Sequence, residues 1–150
     1  MTNNAGELFQ EGYNCAQAVV CAHCEKLGVD KDTALKIAAP FGGGMGRLRE
    51  VCGAVSGMFM VLGMKENCLD PNDHEAKKNL YEKVQMLAKK FEEEFGSIVC
   101  RELLGLNEKH SDVTPEKRTA EYYKKRPCKE MVQFASDLIE KELLVETKYL

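Results

Sequence analysis

The sequence predicts an all-α fold, a single-domain bundle of five to seven helices over residues 1–150. Three observations carry this prediction. Apolar residues recur at helical spacing through most of the chain. Residues that favour helix starts, such as Asn14, Asp30 and Asp70, precede these runs, and glycine or proline follows several of them. No stretch alternates apolar and polar residues with period two over a useful length, so strands are not expected.

The first helix is expected from Asn14 to Leu27, with Cys15, Ala18, Val19 and Ala22 at helical spacing and Gly28 as its stop. A short helix over Lys31–Ala39 follows, capped by Asp30 and ended by Pro40. Phe41-Gly-Gly-Gly-Met-Gly46 is too rich in glycine for regular structure and reads as a loop. Arg47–Leu62 is apolar and rich in small residues, which predicts a buried central helix packed closely on its neighbours. The longest helix starts at Asp70-Pro71-Asn72-Asp73, with proline and acidic residues where a helix start favours them. Its buried face is Leu80, Val84, Leu87, Phe91 and Phe95, and its other face is Lys and Glu. Ser97–Leu104 predicts a further short helix ended by Gly105. Leu106–Arg126 is polar and reads as a loop with at most a short helix. Met131, Phe134, Ala135, Leu138 and Ile139 form the stripe of the last helix.

Composition excludes several functions. The 21 basic and 24 acidic residues leave a formal charge of −3, so there is no electrostatic case for nucleic-acid binding. No apolar run is long enough to cross a membrane. Met1–Glu7 lacks the basic and apolar regions of a signal peptide, so a cytoplasmic location is expected. Seven cysteines cannot all pair within one chain, and a cysteine-rich cytosolic protein uses thiols for metal or redox work more often than as staples.

Four of these cysteines, Cys15, Cys52, Cys100 and Cys128, fall in or near the first turn of an expected helix. Helix N-termini carry partial positive charge and orphan N–H groups, which favour a thiolate. The dipole contributes roughly 0.3–1 kcal/mol. It would lower a thiol by about one pKa unit, poising it near neutrality without ionising it fully. Four converging thiolates would repel each other. They could share a site only as disulfides, as partly protonated thiols, or around a metal or iron–sulfur cluster. The bland alternative is four small buried hydrophobes.

The motifs Gly12-Tyr-Asn-Cys15-Ala-Gln-Ala-Val19, Phe41-Gly-Gly-Gly-Met-Gly46, Cys52-Gly-Ala-Val-Ser-Gly57, Phe95-Gly96-Ser97, Cys100-Arg-Glu-Leu-Leu-Gly105 and Cys128 follow one another along the chain. In this order they resemble the C_GCAxxG_C_C family, whose members are described as redox-active. The resemblance spans about Glu11 to Leu138. It implies the same four family cysteines, Cys15, Cys52, Cys100 and Cys128. The middle motif departs from the family name, since Gly53 follows Cys52 and Val51 precedes it.

Other motifs carry weaker signals. Cys21-Ala-His-Cys24 has redox or half-metal spacing but falls deep in a helix. At about 100° per residue it faces away from Cys15. His23 reads as an exposed or half-buried helix residue, and Cys68 as an incidental loop cysteine. Gly42, Gly43, Gly44 and Gly46 lack the Gly-Lys-Ser/Thr of a P-loop and follow a helix, not a strand. They suit close backbone approach to the cysteine site or to a bound group, or simply a tight turn. Arg47 and Arg49 flank this loop, adding positive charge or facing solvent. Ser56 lacks His and acid partners in local motifs. Met45, Met58, Met60 and Met64 are expected to fill the core. Lys124-Lys-Arg126 reads as a solvated loop that would lower the Cys128 pKa if it folded over that thiol.

The leading expectation is a thiol/disulfide site for electron transfer or thiol-dependent oxidoreduction, built from Cys15, Cys52, Cys100 and Cys128 beside the glycine loop. Its partner would be a redox protein or a small-molecule substrate. One alternative is an iron–sulfur cluster or other metal held by the same four cysteines. Another is a non-catalytic helical interaction module with inert cysteines. The glycine-rich central helix suits packing within a monomer or across a homodimer.

Overall fold

The computed structural model describes residues 4–144, so the first residues of the stretch read for a leader lie outside it. Its helices are α1 (Ala5–Gln10), α2 (Cys15–His23), α3 (Lys31–Ala38), α4 (Gly53–Glu66), α5 (His74–Phe95), α6 (Cys100–Leu103), α7 (Ala120–Lys125) and α8 (Cys128–Ile139). The all-α prediction holds, and no strand occurs among the described residues. No described helix is long and apolar enough to cross a membrane.

Local chemistry sets most of the helix starts. Asn14 caps α2 by accepting from Gln17 N–H at 2.9 Å, while the Gln17 side chain accepts from Asn14 N–H in return. Asp30, Asp73 and Thr119 cap α3, α5 and α7 through their side-chain oxygens. The expected Asn14–Leu27 helix breaks at His23 and continues as a 3₁₀ turn over Glu25–Leu27 before Gly28.

Two expected helices are shorter than their sequences suggest, for one shared reason. Arg47–Cys52 is not helical: Arg47 and Arg49 have left-handed φ values of 70° and 61°, and Val51 forms an isolated antiparallel bridge with Val99. The same bridge holds Val99 extended, so Ser97–Val99 is not helical and α6 starts only at Cys100. Cross-chain pairing therefore overrides local helical pattern on both segments.

α4 lies at the centre of the bundle. Val55, Met58, Val61 and Leu62 are fully buried there, packed with Val19 and Val20 of α2 and Val132, Ala135 and Ile139 of α8. The α2–α4 crossing is close, because a Cβ on Gly57 would lie 2.9 Å from Ala16 O. α5 covers one side through Leu87 and Phe91, each burial contributing roughly 1.5–3 kcal/mol. Leu80, Val84 and Phe95 pack at the edge of that contact. Phe91, Phe95 and Phe134 stack with ring centroids 4.8–6.1 Å apart. Met58 fills the core and Met60 and Met64 pack at its margin, whereas Met45 sits in the glycine loop with φ 69°.

His23 departs from expectation. It is buried and hydrogen-bonded to Ser136 Oγ at 2.7 Å, so it ties α2 to α8 instead of facing water. Burial lowers its pKa.

Candidate functional site

Cys15, Cys52, Cys100 and Cys128 all line one cavity of about 300 Å³. Cys15 is the first residue of α2, Cys100 of α6 and Cys128 of α8, while Cys52 is the N-cap residue of α4. The cavity therefore sits where the N-termini of these four helices meet. The helix expected from Arg47 starts at Gly53, so Cys52 is its cap and not an internal residue.

The Val51–Val99 bridge brings two of the cysteines together. Cys52 N–H donates to Ile98 O at 2.8 Å and Cys100 N–H donates to Glu50 O at 2.6 Å. Each cysteine directly follows its bridged valine, so this one pairing sets both helix starts beside the cavity. Cys15 meets the same region through Gly53, whose added Cβ would lie 2.9 Å from Cys15 Cβ and 3.0 Å from Phe41 O.

The glycine loop closes in on the cysteines. A Cβ on Gly44 would lie 2.5 Å from Cys100 Cβ and 2.9 Å from Arg49 Cα, and the residue has φ 68°. A Cβ on Gly42 would lie 2.6 Å from the Asn14 side chain, whose amide also donates to Ala39 O at 2.9 Å. Gly42, Gly43, Gly44 and Gly46 all line the cavity. The loop thus gives the close backbone approach that its composition suggested. A hydrogen-bonded turn over Gly42–Met45 contains left-handed Gly43 and Gly44, so it is not a regular helix.

Electrostatics separates the four thiols. The Cys15 and Cys128 thiols interact with each other in the cavity. This interaction, followed by burial and the neighbouring cysteines, pushes the Cys15 thiol well above its ordinary value. The same interaction holds Cys128 below its ordinary value against the opposing effect of burial, helped by the Arg126, Arg118 and Arg49 guanidiniums. Burial pushes Cys52 up to about 12, although the Ala54 and Val55 N–H groups favour its thiolate. Burial also raises Cys100, against the hydrogen bond from Arg49 Nη1 at 3.5 Å. The expectation that helix termini poise all four near neutrality is therefore corrected. Desolvation disfavours the charged form by more than a helix end returns, and only Cys128 is lowered.

Arg49 is 4 % exposed and also donates to Ser111 Oγ at 2.9 Å, so it is a built part of the site and not a solvated flank. Arg47 donates to Asp112 O. Of Lys124-Lys-Arg126, the lysines are exposed on α7, while Arg126 lines the cavity and pairs with Glu116. Sequence reasoning missed Arg118. This residue donates to Phe9 O at 2.8 Å and Tyr13 O at 3.2 Å, and its Cζ stands 4.1 Å from the centre of the Phe9 ring. It also missed Tyr122, which lines the cavity and whose phenol burial pushes up to about 12. The available signal was two arginines flanking a Tyr-Tyr pair just before Cys128, inside a stretch too polar to suggest a wall.

Cys21 and Cys24 do not line the cavity. Cys24 is fully buried in the core and Cys21 is half-buried, both with thiols raised first by desolvation. Cys68 lies in the loop after α4. Among the described residues no group of three or more His, Cys, Asp or Glu side chains is arranged to hold a metal ion.

The fold and cavity define a class: an all-α protein in which four cysteines from four helix starts face one small chamber. The chain belongs to the family described as "Putative redox-active protein (C_GCAxxG_C_C)", which matches residues 13–142. No curated protein and no solved structure matches the chain.

Proposed function

We propose that this redox-family protein works by thiol–disulfide exchange, with Cys128 as the attacking thiol and Cys15 as the resolving one. The observation that carries the reading is that Cys15 and Cys128, each the first residue of a helix, line one cavity with the Arg49, Arg118 and Arg126 guanidiniums; their mutual interaction favours the thiolate on Cys128 and the thiol on Cys15. Attack needs a thiolate, and the resolving partner must stay protonated until the first exchange is done. The Cys128 thiolate attacks one sulfur of a disulfide substrate, forming a mixed disulfide and expelling the other sulfur as a thiolate. That thiolate takes the Cys15 proton. The resulting Cys15 thiolate attacks Cys128 Sγ and expels the second substrate sulfur. Two protein thiols become one Cys15–Cys128 disulfide, and one substrate disulfide becomes two thiols. Run backwards, the site oxidises dithiols.

Cys52 and Cys100, buried and raised, are reserves of the same chamber in this reading. The glycine loop would offer its N–H groups to a bound substrate. The test is to oxidise the reduced protein with a small disulfide, alkylate the remaining thiols and map the linkages by mass spectrometry. A Cys15–Cys128 linkage is expected. Cys15 and Cys128 both remaining alkylatable would sink the reading. Metal analysis and visible absorbance of anaerobically purified protein test the metallocentre, which would displace this proposal if a stoichiometric metal required the four cysteines.

A further inference from the structure

The walls of the cysteine cavity carry far more positive charge than one thiolate needs. Four arginines and one glutamate line it, which leaves three formal positive charges before the cysteines are counted. The chain as a whole is at −3, so this charge is concentrated against the general balance. Arg126 pairs with Glu116. Arg47, Arg49 and Arg118 have no ion pair among the described residues and donate to neutral groups instead: Asp112 O, Ser111 Oγ, Phe9 O and Tyr13 O. A Cys128 thiolate balances one of the three charges. Ser111 Oγ donates its own proton to Glu108 Oε1 at 2.8 Å, so a carboxylate stands one hydroxyl behind Arg49, but none touches these three guanidiniums directly. Guanidiniums gathered around a concave chamber without a directly paired carboxylate repel each other and favour an anion.

The remaining surroundings narrow the anion's size and shape. A volume of about 300 Å³ is at the small end of ligand pockets, suited to a compact organic molecule and too small for a folded partner's domain. Phe9, Leu103, Leu104 and Met131 give it an apolar side, so the occupant has both an apolar body and charged ends. Arg118 is held rigidly by two carbonyls and the Phe9 ring, which leaves its guanidinium preorganised at the wall.

We propose that the cavity takes a low-molecular-weight disulfide bearing carboxylates, with its anionic ends set against Arg47, Arg49 and Arg118 and one sulfur presented to Cys128. This rests on the thiol–disulfide reading above, and the bonds made and broken are those written there. The arginines decide which disulfide enters.

The test uses the reduced wild-type protein and three small disulfides of different charge: dithiodiglycolate (dianionic), bis(2-hydroxyethyl) disulfide (neutral) and cystamine (dicationic). Loss of free Cys15 and Cys128 is followed by mass mapping. Each rate is divided by that of the same disulfide with free N-acetylcysteine amide, a neutral thiol that forms none of the three disulfides, which removes differences in leaving-group chemistry. The dianion is expected to exceed the dication by about tenfold or more, with the neutral compound between, and high salt should narrow the gap. Equal or reversed normalised rates would overturn the anionic preference and leave thiol–disulfide exchange standing. A preference unaffected by salt would place selectivity in shape and would also overturn it. Failure of all three disulfides to oxidise the pair would remove both readings.

Discussion

Replacing Cys15 with alanine isolates the interaction that makes Cys128 different. Alanine keeps the Cβ that packs against Gly53 and removes only the sulfur that hydrogen-bonds Cys128. A hydrogen bond to a charged group contributes roughly 1.5–3 kcal/mol, and S–H is a weak donor, so the low end applies. Losing this donor withdraws roughly 1.5 kcal/mol from the thiolate and moves the Cys128 pKa up. The direction follows from which form the bond stabilises: it favours the thiolate, so its loss favours the thiol. The assay is the pH dependence of Cys128 alkylation by iodoacetamide, read on the Cys128 peptide by mass spectrometry. The Cys15→Ala midpoint should move up, while Cys15→Ser, which keeps a hydroxyl donor, should move much less. An unchanged or lowered midpoint in Cys15→Ala would refute the assignment of Cys15 as donor, leaving the guanidiniums as the sole source of activation. The same linkage predicts a stability effect. The lowered Cys128 pKa stabilises the fold fully above the ordinary thiol value of 9.0, and this contribution fades as pH falls through the folded value. Cys15→Ala should therefore show a smaller stability gain than wild type as pH rises from the folded value to 9.0.

Two further outcomes follow from the packing. The buried Cys52 thiol, raised from 9.0 to about 12, keeps its proton in the fold while the unfolded chain loses it, so stability should fall as pH rises through that window. Urea unfolding should show that Cys52→Ala removes part of this alkaline loss, at most about 2 kcal/mol between pH 9 and pH 10.5, and identical alkaline slopes in the two proteins would contradict it. Gly44→Ala should destabilise the protein by roughly 1–3 kcal/mol, read as a lower midpoint in the same titration. Its Cβ would press on Cys100 Cβ and the Arg49 backbone at a left-handed φ, so a neutral result would mean that the loop does not hold the cavity wall.

Much of the fold is legible because it is local. Asn14, Asp30 and Gly28 act within a few residues of themselves, and a cap or a stop works through nearby N–H and C=O groups whatever the rest of the chain does. The stripe on α8 and the buried Leu87 and Phe91 of α5 follow from helical period in the same way. The four site cysteines were legible as helix-start residues for this reason. The segments that misled are those governed from a distance. Val51 and Val99 fall inside the expected helices Arg47–Leu62 and Ser97–Leu104, yet one bridge between residues nearly fifty positions apart pulls both segments out of helix.

The sequence by itself determined an all-α chain with cysteines at four helix starts, because capping and periodicity are short-range effects. Tertiary structure alone decided that those starts meet at one chamber, since packing α2 against α4 and bridging Val51 to Val99 depend on contacts that spacing does not encode. It also decided which thiol is activated. Helix ends treat the four cysteines alike, but desolvation raises Cys52 and Cys100, the interaction with Cys128 followed by burial raises Cys15, and the interaction with Cys15 and the guanidiniums of the distant Arg126, Arg118 and Arg49 lower Cys128.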